Sequence, residues 1–209
     1  MFDMLNHLAL AWAAYAIGAG SPGPSTLLIA STSADRGRRA GGAVAAGILA
    51  GSLFWGILAT AGFAAALSAY AWLAQVLRVA GGIFLIYLAV RAAQAAWRGD
   101  RLARPGATSG RGLAADFGRG AALHLGNAKA VFVWLAVVGI GVPHDAPGWF
   151  PFVIVLSCGA LGMGIFGGYA LLFATKRVQL AYNASKRFFD AMSAATFGAF
   201  GFALLLRRA

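Results

Sequence analysis

The chain has 209 residues, of which 60% are hydrophobic and only 11% are charged. A soluble globular domain is about half apolar and about a quarter charged, so this composition excludes an ordinary soluble domain. The 29 glycines are typical of closely packed membrane helices. The formal net charge of +11 comes from short basic clusters between apolar runs. No recognition motif accompanies them, so we expect no nucleic-acid partner.

Six apolar stretches follow one another, and each is long enough for a helix to cross a bilayer core of about 30 Å. They cover roughly Met4–Ser31, Gly41–Leu67, Ala71–Ala93, Phe117–Val142, Trp149–Thr175 and Phe188–Leu206. The first stretch is preceded by Asp3 and by no basic residue, so we interpret it as a retained helix and not as a signal peptide. The predicted fold is an all-α, polytopic membrane protein with six transmembrane helices in contact with lipid.

The basic residues are distributed unevenly between the predicted spans. Thirteen of the 17 lie in the joints after the first, third and fifth stretches or at the stretch ends beside those joints. The positive-inside rule places these joints on the cytoplasmic side of a bacterial inner membrane and both termini outside. Arg207 and Arg208 at the C-terminus oppose this orientation. We predict one three-helix half at residues 1–97, a linker at 98–116 and an inverted second half at 117–209, a plan typical of secondary transporters.

The first stretch is interrupted by Pro22, Gly23 and Pro24, with Ser25 directly after them. Two prolines remove two amide donors from the helix, so the segment predicts a break. A break in a membrane helix must face protein or a watery cavity, where transporters place their binding sites. The alternative is a simple kink without a site.

Polar residues also interrupt the fourth stretch, at His124, Asn127 and Lys129. Lys129 either faces a cavity or extends to the cytoplasmic surface, and His124 is either a hydrogen-bonded packing residue or a proton relay. The third stretch contains Arg78, which faces the same cavity or the outer surface. We take these residues and residues 22–25 as candidate substrate-binding residues.

Several residue types that other functions need are missing. The chain has no Glu, no Asp lies clearly inside a predicted span, and Cys158 is the single cysteine. The three histidines show no ligand spacing, so we expect no metal site, no cofactor and no enzyme. The remaining cavity is positive and suits a substrate with a carboxylate. Gly47–Gly51 and Gly164–Gly168 match GxxxG, which indicates packing within the chain or, alternatively, a homodimer.

At these residues the chain resembles the LysE/RhtB family of amino-acid exporters. The resemblance rests on Pro22-Gly-Pro24, the basic turn at 36–41, the segment at 80–88, the fourth-stretch motif at 117–130 and the last stretch at 188–206. It implies two inverted three-helix halves and export of amino acids from the cytoplasm, driven by the proton gradient.

Three positions depart from the family pattern. Ser25 stands where Asp or Asn usually follows Pro-Gly-Pro, His124 stands where Asn is common, and Ala128 replaces the proline of Asn-Pro-Lys. The missing acidic residue disfavours lysine-like dications, and the missing proline predicts a less broken fourth span. We therefore expect an exporter of small zwitterionic or anionic amino acids. The alternatives are a membrane-embedded enzyme and a non-catalytic subunit of a larger membrane complex.

Overall fold

The computed structural model describes residues 2–69, 71–98, 112–143 and 145–206, and within these ranges every regular element is an α-helix. Seven helices follow in chain order: α1 (Phe2–Gly20), α2 (Pro24–Ala69), α3 (Ala71–Arg98), α4 (Leu113–Leu125), α5 (Ala128–Gly141), α6 (Phe150–Leu172) and α7 (Lys176–Leu206). Helix α2 is divided at Gly37, whose φ of 82° and ψ of −178° are not helical. A residue with a Cβ would be strained there, which explains glycine at this position. The predicted all-α, polytopic fold is confirmed.

Two of the described helices are long and apolar enough to cross a membrane, namely Pro24–Gly62 and Phe150–Leu172. Helices α4 and α5 make a third candidate if they count as one span, although they meet at an angle of 64°. The predicted number of six spans stays a prediction. The predicted linker lies mostly outside the described residues, and α4 already begins at Leu113. The basic segment at 176–187, expected as a joint, forms the start of α7.

The core forms where α1, α5 and α6 meet the second segment of α2. Its fully buried side chains include Tyr15, Trp134, Val137, Ile154 and Cys158. The expected burial of Cys158 as a small apolar residue is confirmed, since none of its surface is exposed. Helix α3 packs along α7, so these two form a second layer beside the core.

Helices α2 and α4 cross in backbone contact, which two glycines permit. A Cβ at Gly47 would collide with the Phe117 carbonyl, and a Cβ at Gly120 would collide with the Val44 carbonyl. Gly51 of the first GxxxG match lies against His124, so this match packs within the chain as predicted. The prediction is wrong for Gly164–Gly168, because a Cβ at either glycine would meet no atom of the described chain within 4 Å.

Two carboxylates are buried inside the helix bundle, and one of them, Asp190, lies in the last predicted stretch, contrary to our expectation that these stretches hold no Asp. Asp116 is fully buried and lies 2.6 Å from the Arg36 guanidinium, which joins α4 to α2. Asp190 lies within α7, is 4% exposed, and lies 2.6 Å from the ammonium of Lys186 one turn earlier. Each carboxylate therefore has a basic partner. The pattern of apolar residues in the sequence predicts neither pair.

Candidate functional site

The first helix is broken at residues 21–23, as the two prolines predict. Pro22 and Pro24 lack the N–H groups that would bond the carbonyls of Gly18 and Gly20 in a continuous helix. The Ser21 hydroxyl donates to the Gly18 carbonyl at 3.0 Å instead. The Tyr169 hydroxyl of α6 donates to the Gly20 carbonyl at 2.8 Å. Side chains therefore satisfy both carbonyls that the prolines leave without a backbone donor.

Lys129 of α5 reaches into this break. Its Nζ donates to the Ser21 carbonyl at 2.9 Å and to the Ser21 hydroxyl at 2.8 Å. The same ammonium lies 5.3 Å from the centre of the Phe197 ring. No carboxylate of the described residues forms an ion pair with it. Lys129 thus faces the interior of the protein, and the alternative that it extends to the surface is wrong.

A second break separates α4 from α5 at Gly126 and Asn127. The Asn127 side chain caps α5 by accepting the Lys129 backbone N–H at 3.1 Å. Capping side chains of this type stabilise a helix start without proline. The expectation of a less broken span without proline at Ala128 is therefore wrong, since the two helices meet at 64°.

Three polar side chains join the two breaks to each other. The Ser25 Oγ lies 2.9 Å from the His124 Nδ1, and the Asn127 Nδ2 donates to the same Oγ at 3.2 Å. Ser25 and His124 are both buried, at 6% exposure each. The His124 ring also meets the Phe166 ring edge to face, with 6.1 Å between centroids. His124 is thus a hydrogen-bonded packing residue in this structure.

A pocket of about 370 Å³, counting its open mouth, lies between the two breaks. Most of this volume is open mouth, since the enclosed part measures only about 30 Å³ and has room for about two water molecules. Five predicted site residues line it: Gly23, Ser25, His124, Asn127 and Lys129. Pro22 and Pro24 shape the break without lining the pocket. Arg78 belongs to α3, and its side chain lies outside the described residues.

Other lining residues had no signal in the sequence. Tyr15, Ser52 and Trp134 form one wall, where the Tyr15 hydroxyl and the Trp134 Nε1 each lie 3.0 Å from the Ser52 hydroxyl. Thr26 both accepts from the Gly23 N–H and donates to the Gly23 carbonyl, which fixes the start of α2. All four residues sit in apolar stretches at positions that look like ordinary packing, so only the folded arrangement brings them to the pocket.

The family model for the LysE type translocator matches residues 16–208, a range that contains both breaks and the whole pocket. The chain belongs to the LysE type translocator family. It is therefore a membrane transporter and not an enzyme, and the alternative of a membrane-embedded enzyme is excluded. No solved structure shows significant similarity to this LysE type translocator.

Characterised relatives resemble the chain over nearly its whole length. The threonine efflux protein of Escherichia coli K12 is 26% identical over 198 residues, which cover 90% of this chain and 92% of the relative. The threonine efflux protein of Salmonella typhi is also 26% identical, over 196 residues with the same coverage. An uncharacterised membrane protein of Pseudomonas aeruginosa is 33% identical over 119 residues, which cover 55% of this chain and 54% of the relative.

Proposed function

We propose that this translocator exports small zwitterionic amino acids from the cytoplasm across the bacterial inner membrane, driven by the proton gradient. The names of the threonine efflux relatives support export of an amino acid. The observation that carries the proposal is the Lys129 ammonium, which lies in a pocket between two broken helices without a carboxylate partner among the described residues.

The Lys129 ammonium offers a binding site for the carboxylate of the substrate. An ammonium has three N–H donors, and the Ser21 carbonyl and hydroxyl take two of them. A charged group inside a membrane protein is costly unless another charge or water compensates it. A substrate carboxylate would accept the third N–H and supply the missing negative charge.

The Ser25 hydroxyl offers an acceptor for the amino group in the same pocket. No Asp lines the pocket among the described residues. The Ser25 hydroxyl can accept a hydrogen bond from one substrate ammonium. A second cationic group on the substrate would lie in the pocket with Lys129 and without a carboxylate to balance it, so dibasic amino acids are disfavoured. Gly18, Val133 and Trp134 line the apolar side of the pocket, and the narrow space beside them disfavours a large side chain.

The packing of the helices supports two related halves, 1–97 and 117–209. If the first three predicted spans are exchanged with the last three, α1 takes the place of α4, and the second segment of α2 takes the place of α6. The contact of α1 with α6 then becomes the contact of α4 with α2, and the contacts of α2 with α6 and of α3 with α7 map onto themselves. All of these contacts are present, although the contact of α2 with α3 has no equally extensive counterpart between α6 and α7 among the described residues. Related halves around a central site would open the pocket alternately to either side.

The proposal is tested by efflux of labelled threonine from proteoliposomes. Lys129→Gln keeps a hydrogen-bonding side chain and removes the charge. Because a hydrogen bond to a charged group contributes about 1.5–3 kcal/mol, we expect an apparent affinity about 10- to 100-fold weaker. Lys176→Gln is the matched control, since it removes the same charge from the exposed first residue of α7. Threoninamide, which lacks the carboxylate, should not compete with threonine for the wild-type protein.

Three results would contradict the proposal. One is a wild-type protein that moves none of the amino acids offered, and another is a Lys129→Gln variant that transports threonine with the wild-type affinity. Equal inhibition by threoninamide and threonine would show that the pocket does not bind a carboxylate.

A further inference from the structure

We infer that His124 is the proton-coupling residue of this translocator, and that a proton on His124 Nδ1 competes with the substrate amino group for one lone pair of the Ser25 hydroxyl. The inference rests on the proposed function, because it uses an amino group bound at Ser25. It follows from the hydrogen-bond capacities of Ser25, His124 and Asn127.

The first step is the orientation of the Asn127 amide. Its Oδ1 accepts the Lys129 backbone N–H at 3.1 Å, which is the cap of α5. An amide carries its oxygen and its NH₂ group on opposite sides, so the cap turns the NH₂ toward Ser25. Asn127 Nδ2 therefore donates to the Ser25 Oγ, at 3.2 Å, and occupies one of its two lone pairs.

The second step concerns the remaining lone pair and the single proton of the Ser25 hydroxyl. If the His124 ring is neutral with its proton on Nε2, Nδ1 accepts the Ser25 proton across the 2.9 Å contact. The second lone pair of Oγ is then free for a substrate N–H. If the ring is protonated, Nδ1 donates to Oγ and occupies that lone pair, so the hydroxyl can only donate.

These two states exchange a proton for an amino acid. The neutral ring leaves Ser25 able to hold the amino group while Lys129 holds the carboxylate. A proton that binds Nδ1 withdraws this acceptor and adds a positive charge beside the substrate ammonium, so the substrate leaves. The proton is released from Nδ1 when the pocket next opens to the cytoplasm. Binding free energies are reciprocal, so substrate binding must equally promote release of the proton.

The other titratable groups near His124 do not provide the same switch. Tyr15 of α1 and Lys129 of α5 are the remaining titratable side chains among the described residues of the pocket. Helix α6 faces His124 with the Phe166 ring, and Asp116 on α4 is paired with Arg36 of α2. Loss of a proton from Lys129 would weaken carboxylate binding as the pH rises, whereas the competition at Ser25 weakens substrate binding as the pH falls.

The first experiment measures labelled threonine in proteoliposomes in two ways, by exchange against unlabelled threonine and by net efflux with and without an inward proton gradient. His124→Gln retains a hydrogen-bonding side chain that cannot become charged. Whatever exchange rate this variant retains, we expect the ratio of its net efflux with the gradient to its net efflux without the gradient to fall to about one. His7→Gln is the matched control, because His7 bonds the Ile140 carbonyl, away from the pocket, at 2.9 Å.

The second experiment measures the dissociation constant of threonine for the purified protein between pH 8 and pH 5 by calorimetry. Competition predicts a dissociation constant for wild type and His7→Gln that rises as the pH falls, by up to about tenfold per unit once the ring is protonated. For His124→Gln we expect less than a twofold change.

The outcomes separate this inference from the proposed function. If wild type exchanges no amino acid, the proposed function fails. If wild type exchanges threonine but its affinity does not depend on pH, or if His124→Gln keeps the gradient stimulation or the pH dependence, the inference about His124 is overturned and the proposed function stands. If His124→Gln does not fold, a flat pH profile of the wild type still overturns the inference, and a dissociation constant that rises toward low pH supports it.

Discussion

Neutralisation of Asp116 should weaken the connection between the two broken helices. In Asp116→Asn the side chain keeps its shape but loses the charge that faces the Arg36 guanidinium at 2.6 Å. The Asp116 side chain is fully buried, and that of Arg36 is only 18% exposed. Removal of one partner from a buried ion pair costs about 3–5 kcal/mol. Because Arg36 keeps some contact with solvent, we expect the lower end, about 3 kcal/mol.

The assay is thermal unfolding of the purified protein in detergent. For a chain of about this size, 1 kcal/mol corresponds to about 2–4 °C in Tm, so Asp116→Asn should melt about 6–12 °C below wild type. Asp35→Asn is the matched control, because Asp35 is an exposed neighbour of Arg36 in the chain. Its free energy of unfolding should change by less than about 0.5 kcal/mol.

A double variant separates the ion pair from other effects of the substitution. In Arg36→Gln with Asp116→Asn both charges are absent, so no buried charge lacks its partner. Its Tm should lie above that of Asp116→Asn. A Tm for Asp116→Asn within 2 °C of wild type, or a double variant with the sum of the two single losses, would refute the reasoning.

Two further predictions concern the helix contacts that shape the pocket. Gly120→Ala places a methyl group against the Val44 carbonyl and should destabilise the protein by about 1–3 kcal/mol. Gly164→Ala faces open space and should keep or slightly raise the Tm, because alanine favours a helix over glycine by up to about 1 kcal/mol. Equal Tm values for the two variants would contradict the described crossing. Tyr169→Phe removes the donor to the Gly20 carbonyl and should cost about 1–3 kcal/mol, with slower threonine efflux. Unchanged stability and efflux would show that the carbonyl does not need this donor.

Much of the fold follows from short-range features of the sequence. Apolar stretches of sufficient length predict helices, and the all-α class follows because a helix satisfies its own backbone groups in lipid. The break at residues 21–23 could be predicted because Pro22 and Pro24 each lack an N–H group, whatever surrounds them. The candidate polar residues could also be identified from the sequence, because few polar side chains interrupt these stretches.

The connections between those residues could not be predicted. Ser25 and His124 are 99 positions apart, and Arg36 and Asp116 are 80 positions apart, so no local pattern pairs them. The break before α5 is sharper than the absence of proline predicts, because the cap at Asn127 is sufficient. No local pattern marks Tyr169, and only the fold places its hydroxyl at the Gly20 carbonyl.

Trp134 gives the pocket an optical signal of its own. Its indole is 1% exposed, donates to the Ser52 hydroxyl and lies 5.1 Å from the Tyr15 ring, all at the pocket wall. Indole emission depends on the polarity and hydrogen bonding of its surroundings, so a solute that enters the pocket changes the fluorescence of this residue. A variant that keeps Trp134 and replaces the other five tryptophans by phenylalanine would therefore report occupancy without an attached label.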